Sequence, residues 1–224
     1  IMLALGDAFP RCRVTAIDRP GHGHSDPRRR PSVFEQADLF HAAAAEMGLV
    51  APVVVGHSLG GAIALAYGER HPGDISGVVA VAPLAYPGWG PAHVDRAIRG
   101  APLLGPALSN TVFGLTDGAL MRAGLRLAFS PQAPTEAFRR VVGVGLLSRP
   151  APMVADGADF TRASFDLQRL SARYADYPAP VHVVIGGKDR ILQPKRQGLR
   201  LAEALPDVRV TTEPELGHML HHFA

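Results

Sequence analysis

Val53-Val54-Val55-Gly56-His57-Ser58-Leu59-Gly60-Gly61 is the stretch that decides the predicted fold. The three valines predict a short strand, and the small apolar residues 62–66 predict a buried helix. A G-x-S-x-G segment between a strand and a helix is typical of a nucleophile elbow, whose strained turn lifts the serine hydroxyl clear of the sheet. We expect its glycines to let neighbouring backbone pass close. We therefore predict that Ser58 is a nucleophile and that the Leu59 backbone N–H donates to a developing oxyanion. An ordinary glycine-rich turn is the alternative.

Short β-branched runs alternate with helical patterns along most of the chain. The predicted strands lie at residues 14–17, 53–55, 78–81, 181–185 and 208–211. Most of these runs are continuously apolar, which favours strands covered on both faces, and the helices between them favour a doubly wound, mostly parallel α/β sheet. One predicted helix starts at a capping box of Ser32 and Glu35 and stops near Gly48. A second spans about 58–70, and a third starts near Pro194.

Residues 85–176 differ from the rest because they combine many prolines and glycines with helical stretches and no convincing strand. We predict a mainly helical insertion over the C-terminal edge of the sheet. It belongs to a single domain whose α/β core comprises residues 1–84 and 177–224. The insertion is expected to serve as extra core packing, as a cap over the substrate, or as both. Trp89 and the pair Leu103-Leu104 are candidates for an acyl pocket or for ordinary packing.

A serine hydroxyl needs a base, and catalytic groups of parallel sheets lie beyond the carboxyl ends of strands. His218 lies a few residues beyond the predicted strand at 208–211, and Asp189 follows the one at 181–185. We therefore predict His218 as the general base and Asp189 as the acid that orients its imidazole. The neighbours His221 and His222 are assigned to a following helix. The remaining acids of the helical region are interpreted as exposed helix positions: Asp159, Asp166 and Asp176.

Three ordered motifs make the chain similar to the α/β-hydrolase superfamily, of the kind typified by small serine esterases and cofactor-free haloperoxidases. Besides the elbow, Asp18-Arg19-Pro20-Gly21-His22-Gly23-His24-Ser25-Asp26 resembles the family's D-x-x-G-x-G-x-S loop. Gly-Gly-Lys-Asp189 and Gly-His218 resemble its acid and base segments. The resemblance implies the α/β-hydrolase fold, a triad of Ser58, Asp189 and His218, a variable cap, and catalysis without cofactor or metal. His22 and His24 are interpreted as parts of a shaped loop rather than as metal ligands.

The sequence departs from this family near both ends. No H-G motif precedes Asp18, so the second oxyanion donor is not identified. The family's third strand, which lies between its fourth and fifth, has no counterpart, and the chain stops at Ala224 as a final helix should start. We therefore expect a piece of a longer protein, with roughly 40–60 further residues at the front. Standing alone, the piece is expected to fold weakly and to show little activity.

The composition argues against several other classes of protein. The single cysteine, Cys12, cannot form an internal disulfide, and no zinc-type Cys/His spacing occurs. No run approaches the roughly 18 apolar residues of a membrane span. The net charge of +3 is mild and the basic run at 28–30 lies between prolines, so nucleic-acid binding is not expected. The first residues carry no signal-peptide pattern, which favours a cytoplasmic location. The sequence gives no oligomeric state.

The leading functional hypothesis is cleavage of a carboxylic ester, or a related acyl substrate, through an acyl-enzyme. The expected substrate is a small, apolar ester. A haloperoxidase-like perhydrolase and a C–C bond hydrolase use the same triad and stay open as alternatives, whereas Ser58 argues against the hydrolases of this fold that use a nucleophilic aspartate. A ligand-binding protein without turnover and an inert truncation product are the alternatives of a different class.

Overall fold

Four parallel strands form the sheet in the computed structural model, which describes residues 9–26, 31–88, 91–136, 138 and 149–223. They are β1 (Val53–His57), β2 (Gly77–Val81), β3 (Val181–Gly186) and β4 (Val208–Glu213), in the order β1-β2-β3-β4. Every pairing is parallel, with Val54 opposite Val78 and Val79 opposite His182. The parallel α/β sheet is therefore confirmed, as are the four predicted strands from residue 53 onwards.

One described helix precedes β1, and the other described helices lie in the connections between the strands. In the described ranges they are α1 (Val33–Glu46), α2 (Leu59–Arg70), α3 (Pro91–Gly100), α4 (Leu104–Ser109), α5 (Val112–Phe129), α6 (Pro150–Ser171) and α7 (Gly198–Ala204). Short 3₁₀ turns lie at Pro72–Asp74, Tyr174–Asp176, Pro194–Arg196 and Leu220–His222. α1 begins with the predicted capping box, in which the Ser32 hydroxyl accepts the Glu35 N–H at 3.1 Å and the Glu35 carboxylate accepts the Ser32 N–H at 2.7 Å. The helix predicted near Pro194 begins there as a 3₁₀ turn and becomes α7 only at Gly198.

The two faces of the sheet are covered to different extents. On one face, side chains of β2 and β3 pack against α1, α2 and the C-terminal half of α6, and they form the main core. The other face carries a smaller cluster of Val81, Ala82 and Leu220. β1 directs Val53 and Val55 away from the main core, where they are 54% and 46% exposed. Coverage on both faces, as predicted from the apolar runs, therefore holds for β2 and β3 but not for β1.

The strand predicted at residues 14–17 is wrong. This run has no regular secondary structure and is mostly exposed. A strand persists only where its backbone N–H and C=O groups find partners, and none of the four described strands pairs with it. β-branched composition alone was therefore an insufficient signal.

The described parts of the insertion between β2 and β3 are helical and contain no strand, as predicted. Leu103 and Leu104 are 88% and 53% exposed, so the interpretation of this pair as ordinary packing is wrong. Trp89 and the basic run at 28–30 lie outside the described residues. None of the helices in the described ranges has the length and apolar character needed to cross a membrane.

Candidate active site

Ser58 stands on a strained turn between β1 and α2. Its backbone has φ 56° and ψ −120°, a conformation with positive φ that costs a non-glycine residue of order 1–3 kcal/mol. Two backbone hydrogen bonds hold the turn against β2 and the segment that follows it. The Ser58 N–H donates to Val81 O at 3.0 Å, and the Leu84 N–H donates to Ser58 O at 3.0 Å. The strand–turn–helix context predicted for the elbow is thus present.

Gly56 and Gly61 leave no room for a side chain, whereas Gly60, the second glycine of the G-x-S-x-G motif, does. A Cβ placed on Gly56 would lie 2.0 Å from the backbone oxygen of Gly60, and a Cβ on Gly61 would lie 2.8 Å from Pro83. A Cβ on Gly60 would meet nothing within 4 Å. The close backbone approach that we expected therefore occurs at Gly56, where no side chain fits.

His218 and Asp189 form a buried hydrogen-bonded pair. His218 Nδ1 donates to Asp189 Oδ2 at 2.7 Å, with side-chain exposures of 6% and 2%. The other carboxylate oxygen of Asp189 accepts the backbone N–H groups of Ile191 and Leu192 at 2.7 and 2.8 Å. Because two backbone donors fix the carboxylate, it presents one oxygen to the imidazole in a set direction. The structure therefore brings together the predicted acid and base.

Backbone contacts fix the loop that carries His218. A Cβ on Gly186 would lie 2.2 Å from the Gly217 oxygen, and a Cβ on Gly217 would lie 1.9 Å from the Ser130 oxygen. From the insertion, the Gln132 side chain accepts the Gly217 N–H at 3.2 Å and donates to Glu215 O at 2.8 Å. The base loop is thus held between the end of β3 and the insertion, with no room for side chains at its glycines.

Two further histidines lie near His218. His57, within the elbow, donates from Nε2 to the backbone oxygen of His218 at 2.9 Å, and the two rings lie 4.6 Å apart. Burial lowers the pKa of His57 well below its ordinary value, and the neighbouring His218 lowers it further. Burial also lowers the pKa of His221 to about 3, and its Nδ1 is a buried atom without a hydrogen-bond partner. Both rings are therefore neutral near pH 7. Sequence reasoning gave His57 no role, although its position directly before the nucleophile was a signal.

Ser58 and His218 are linked through His57, and no hydrogen bond joins their side chains. Within the described residues, no contact of hydrogen-bond length joins the Ser58 hydroxyl to the His218 ring. His57 adjoins Ser58 in the chain and contacts His218 in space. Leu59 is the first residue of α2, a position where a backbone N–H has no acceptor within the helix. An anion can therefore be bound there.

The glycine-rich loop at residues 18–26 is shaped around Asp18. The Asp18 carboxylate accepts the His24 N–H at 3.1 Å, and the Ser25 hydroxyl donates to Asp18 O at 2.8 Å. Gly23 has φ 55°, and a Cβ there would lie 2.0 Å from the Asp18 carboxylate. His22 Nε2 donates to Asp159 in α6 at 3.2 Å. The loop is therefore held by its own aspartate and by a contact with the insertion.

The interpretation of Asp159 and Asp166 as exposed helix positions is wrong, whereas Asp176 is exposed as predicted. Asp159 is 4% exposed and accepts a hydrogen bond from Arg19 at 2.5 Å. Asp166 is 7% exposed, accepts the Val33 N–H at 3.1 Å, and has its pKa raised by burial. Both aspartates lie on the face of α6 that packs against the core. The helical spacing of the two aspartates relative to the apolar residues of that face was the missed signal.

Comparisons with known proteins identify the family of the chain. The family described as the alpha/beta hydrolase fold matches residues 3–224. The chain is 30% identical over 221 residues to a monoacylglycerol lipase of Mycolicibacterium smegmatis. The match covers 92% of this chain and 70% of that protein. It is 32% identical over 214 residues to a pimeloyl-[acyl-carrier protein] methyl ester esterase of Aromatoleum aromaticum. That match covers 93% of this chain and 80% of the esterase. An alpha/beta hydrolase structure from a Medee basin deep-sea metagenome library matches with a TM-score of 0.76 at 20% identity. The match covers 98% of this chain and 78% of that chain. The chain therefore belongs to the α/β-hydrolase fold family.

Proposed function

We propose that the protein hydrolyses small carboxylic esters with an apolar acyl group through an acyl-enzyme. Ser58 is the nucleophile, His218 the general base and Asp189 the orienting acid. The observation that carries the proposal is the buried 2.7 Å hydrogen bond between His218 and Asp189. It is joined to the strained elbow of Ser58 by the contact of His57 with His218. The names of the two curated relatives, a lipase and an esterase, support an ester as the substrate.

The first half-reaction transfers the acyl group to the serine. Asp189 accepts a hydrogen bond from the Nδ1–H of His218, which leaves the lone pair on Nε2. Nε2 then takes the Ser58 proton while Oγ attacks the carbonyl carbon. The resulting oxyanion accepts the Leu59 N–H at the positive end of α2. The bond to the leaving oxygen then breaks, and His218 returns its proton to that oxygen, which departs as an alcohol. The Ser58–His218 hydrogen bond is expected to tighten once a substrate is bound.

The second half-reaction returns the enzyme to its starting state. Water gives a proton to His218 Nε2 and adds to the acyl carbonyl, which again places negative charge at the Leu59 N–H. The bond to Ser58 Oγ then breaks, Oγ recovers the proton from His218, and the carboxylic acid leaves. The cycle is balanced by one water molecule, and it requires neither a redox partner nor a cofactor.

We further propose that residues 85–176 form a cap that covers this site and binds the acyl group. Contacts between Gln132 and the base loop, and between Asp159 and the loop at 18–26, support its position over the catalytic residues. Several large apolar side chains of the insertion are more than 45% exposed, which supports an apolar ligand: Leu103, Leu104, Val112, Leu120 and Leu127.

Labelling with a fluorophosphonate tests the nucleophile without assuming a substrate. Purified protein is incubated with the probe, and intact masses are recorded for the parent, Ser58→Ala and Ser171→Ala. Ser171 is a matched control, because its hydroxyl lies on the exposed end of α6. One adduct is expected on the parent and on Ser171→Ala, and none on Ser58→Ala.

Hydrolysis of p-nitrophenyl esters of increasing acyl length then tests the substrate class. A kcat/KM that rises with acyl length supports the apolar acyl group, whereas a preference for acetate contradicts it. A folded parent that takes up no label, or that is labelled equally after Ser58→Ala, would overturn the assignment of the nucleophile.

A further inference from the structure

A second group of imidazole and carboxylate side chains lies at the opposite edge of the sheet from Ser58. His41 projects from α1, whereas His71 and Asp74 follow α2 on its connection to β2. One ligand atom from each of the three side chains lies within 4.8 Å of the other two. α2 separates this group from Ser58 by 12 residues, or about 18 Å of helix. The group is thus distinct from the proposed ester-cleaving site.

We propose that His41, His71 and Asp74 bind a divalent transition-metal ion such as Zn²⁺. Two imidazole nitrogens and one carboxylate oxygen are the donor set of many zinc sites, and water completes a tetrahedron. Imidazole suits zinc, copper, nickel and cobalt, whereas magnesium and calcium prefer sites built from oxygen alone. The site therefore discriminates between these two classes of cation.

The distance between the donor atoms of His41 and Asp74 already approaches that of a metal site. His41 Nε2 donates to Asp74 Oδ2 at 3.0 Å. A tetrahedral ion bound at 2.0–2.2 Å holds its ligand atoms about 3.3 Å apart, so it can replace the shared proton with a shift of a few tenths of an ångström. The rings of His41 and His71 are stacked, with centroids 3.8 Å apart and planes within 1°. Because the lone pairs of two stacked rings lie in parallel planes, one of the two rings must rotate about its side-chain bonds before both can bind one ion.

Asp38 and Arg70 supply the outer support that metal ligands require. Asp38 Oδ1 accepts the His71 Nε2 proton at 2.9 Å, and both Asp38 oxygens accept from Arg70 at 2.6 and 2.8 Å. Such carboxylate–imidazole contacts orient ligating histidines. With neutral imidazoles, the two carboxylates and one guanidinium leave a net charge of −1, which attracts a cation.

A cleft gives the ion access from solvent. Its volume is about 320 Å³, and its walls include His41, Tyr67, Asp74 and the loop at residues 49–52. The Asp74 side chain is 62% exposed and the His41 side chain 30% exposed. A hydrated ion can therefore reach His41 and Asp74 without unfolding of either helix, and bound metal would tie α1 to the connection between α2 and β2.

Zinc titration by calorimetry tests the proposal on the purified protein. Cys12→Ser serves as the background, because Cys12 is an exposed thiol and thiolates are zinc ligands. We expect one equivalent of Zn²⁺ to bind, and we expect His41→Gln or His71→Gln to weaken the affinity about tenfold or more. His24→Gln is the matched control, since His24 lies on an exposed loop away from the cluster, and its affinity should equal that of the background.

Circular dichroism of the metal-free variants separates a lost ligand from a lost fold. If a histidine variant fails to fold, Asp74→Asn replaces it, because that exposed side chain can lose its charge without disturbing the core. This variant should also bind zinc about tenfold more weakly. Zinc should raise the thermal midpoint of the background protein but not that of the weakened variants. Absence of stoichiometric binding at saturating zinc, or equal affinity in the background and all folded variants, would overturn the proposal.

Discussion

A histidine–aspartate pair lies near each end of α2, and the two pairs have opposite surroundings. At the N-terminal end, His218 and Asp189 lie 2.7 Å apart with side chains 6% and 2% exposed. At the C-terminal end, His41 and Asp74 lie 3.0 Å apart with side chains 30% and 62% exposed. We call them the inner pair and the outer pair. Because two backbone N–H groups also hold Asp189, the inner pair has one geometry, whereas the outer pair can exchange its proton for another partner. Burial and backbone support, rather than residue type, assign the two pairs to different chemistry.

The largest expected effect follows from breaking the inner pair. Asp189→Asn should lower kcat of ester hydrolysis by about 10⁴-fold, because an amide in this position favours the imidazole tautomer whose Nε2 cannot accept the Ser58 proton. Asp176→Asn is the matched control, since Asp176 lies exposed in a 3₁₀ turn outside the site, and its kcat should equal that of the parent. Steady-state kinetics on one ester, with circular dichroism to confirm folding, gives both values. A folded Asp189→Asn protein with less than a tenfold loss would remove the functional distinction between the two pairs.

Glycine substitution compares the rigidity of the two ends of α2. A Cβ on Gly56 would lie 2.0 Å from a backbone oxygen, whereas a Cβ on Gly73, in the turn after α2, would meet nothing within 4 Å. Gly56→Ala should therefore lower the free energy of unfolding by about 3 kcal/mol or more, and Gly73→Ala should change it by less than about 1 kcal/mol. Gly60→Ala, within the elbow, should be neutral or slightly stabilising, because alanine favours a helix.

Urea denaturation of the three alanine variants checks this order. If Gly56→Ala matched Gly73→Ala in stability, the elbow would be able to relax around a side chain. The active-site end of α2 would then be no more rigid than the other end.

Acid should destabilise the protein through the histidines around the base. Burial lowers the folded-state pKa of His221 to about 3, and that of His57 lies well below its ordinary value of 6.5. The unfolded chain binds protons at both rings below pH 6.5, while the native state does not. The stability that they contribute is therefore fully present above pH 6.5 and is lost as the pH falls towards 3. The slope is up to about 1.4 kcal/mol per pH unit for each ring.

Urea midpoints of the parent and of His221→Gln, measured between pH 7.5 and 5, test this expectation. The His221→Gln variant should lose the contribution of His221 and keep that of His57, so its urea midpoint should fall less steeply as the pH is lowered. Equal slopes would indicate that His221 takes up a proton in the native state, and the surroundings of the inner pair would then be less dry than their burial indicates.

The inner pair could be predicted from the sequence, whereas the outer pair could not. Asp189 and His218 each follow a strand, and parallel strands bring their carboxyl ends to one edge, so chain order and strand position were sufficient. His41, by contrast, comes from the middle of α1, and it meets His71 only through the packing of α1 on α2. No local motif encodes that contact, and zinc-type spacing within one segment does not describe it.

Features of the fold that depend on local sequence could likewise be predicted, whereas features that depend on packing could not. The strand at 53–55 and the capping box of α1 depend on local sequence, and both predictions are confirmed. The run at 14–17 has the composition of a strand, but strands require partners, and composition does not supply them. Asp159 in α6 was misassigned because its charge was weighed without the apolar face to which it belongs.

The smallest expected effect comes from neutralising the outer pair in the absence of metal. Asp74→Asn, measured by urea denaturation in the presence of a chelator, should lower the free energy of unfolding by less than about 1 kcal/mol. The reason is that an Asp74 side chain 62% exposed to water gains little from His41, and salt screens that gain. Repeating the measurement at about 1 M salt should remove the difference, because the screening length falls to about 3 Å. A loss above about 2 kcal/mol that survives salt would contradict the comparison, since an exposed pair would then be held as firmly as the buried one.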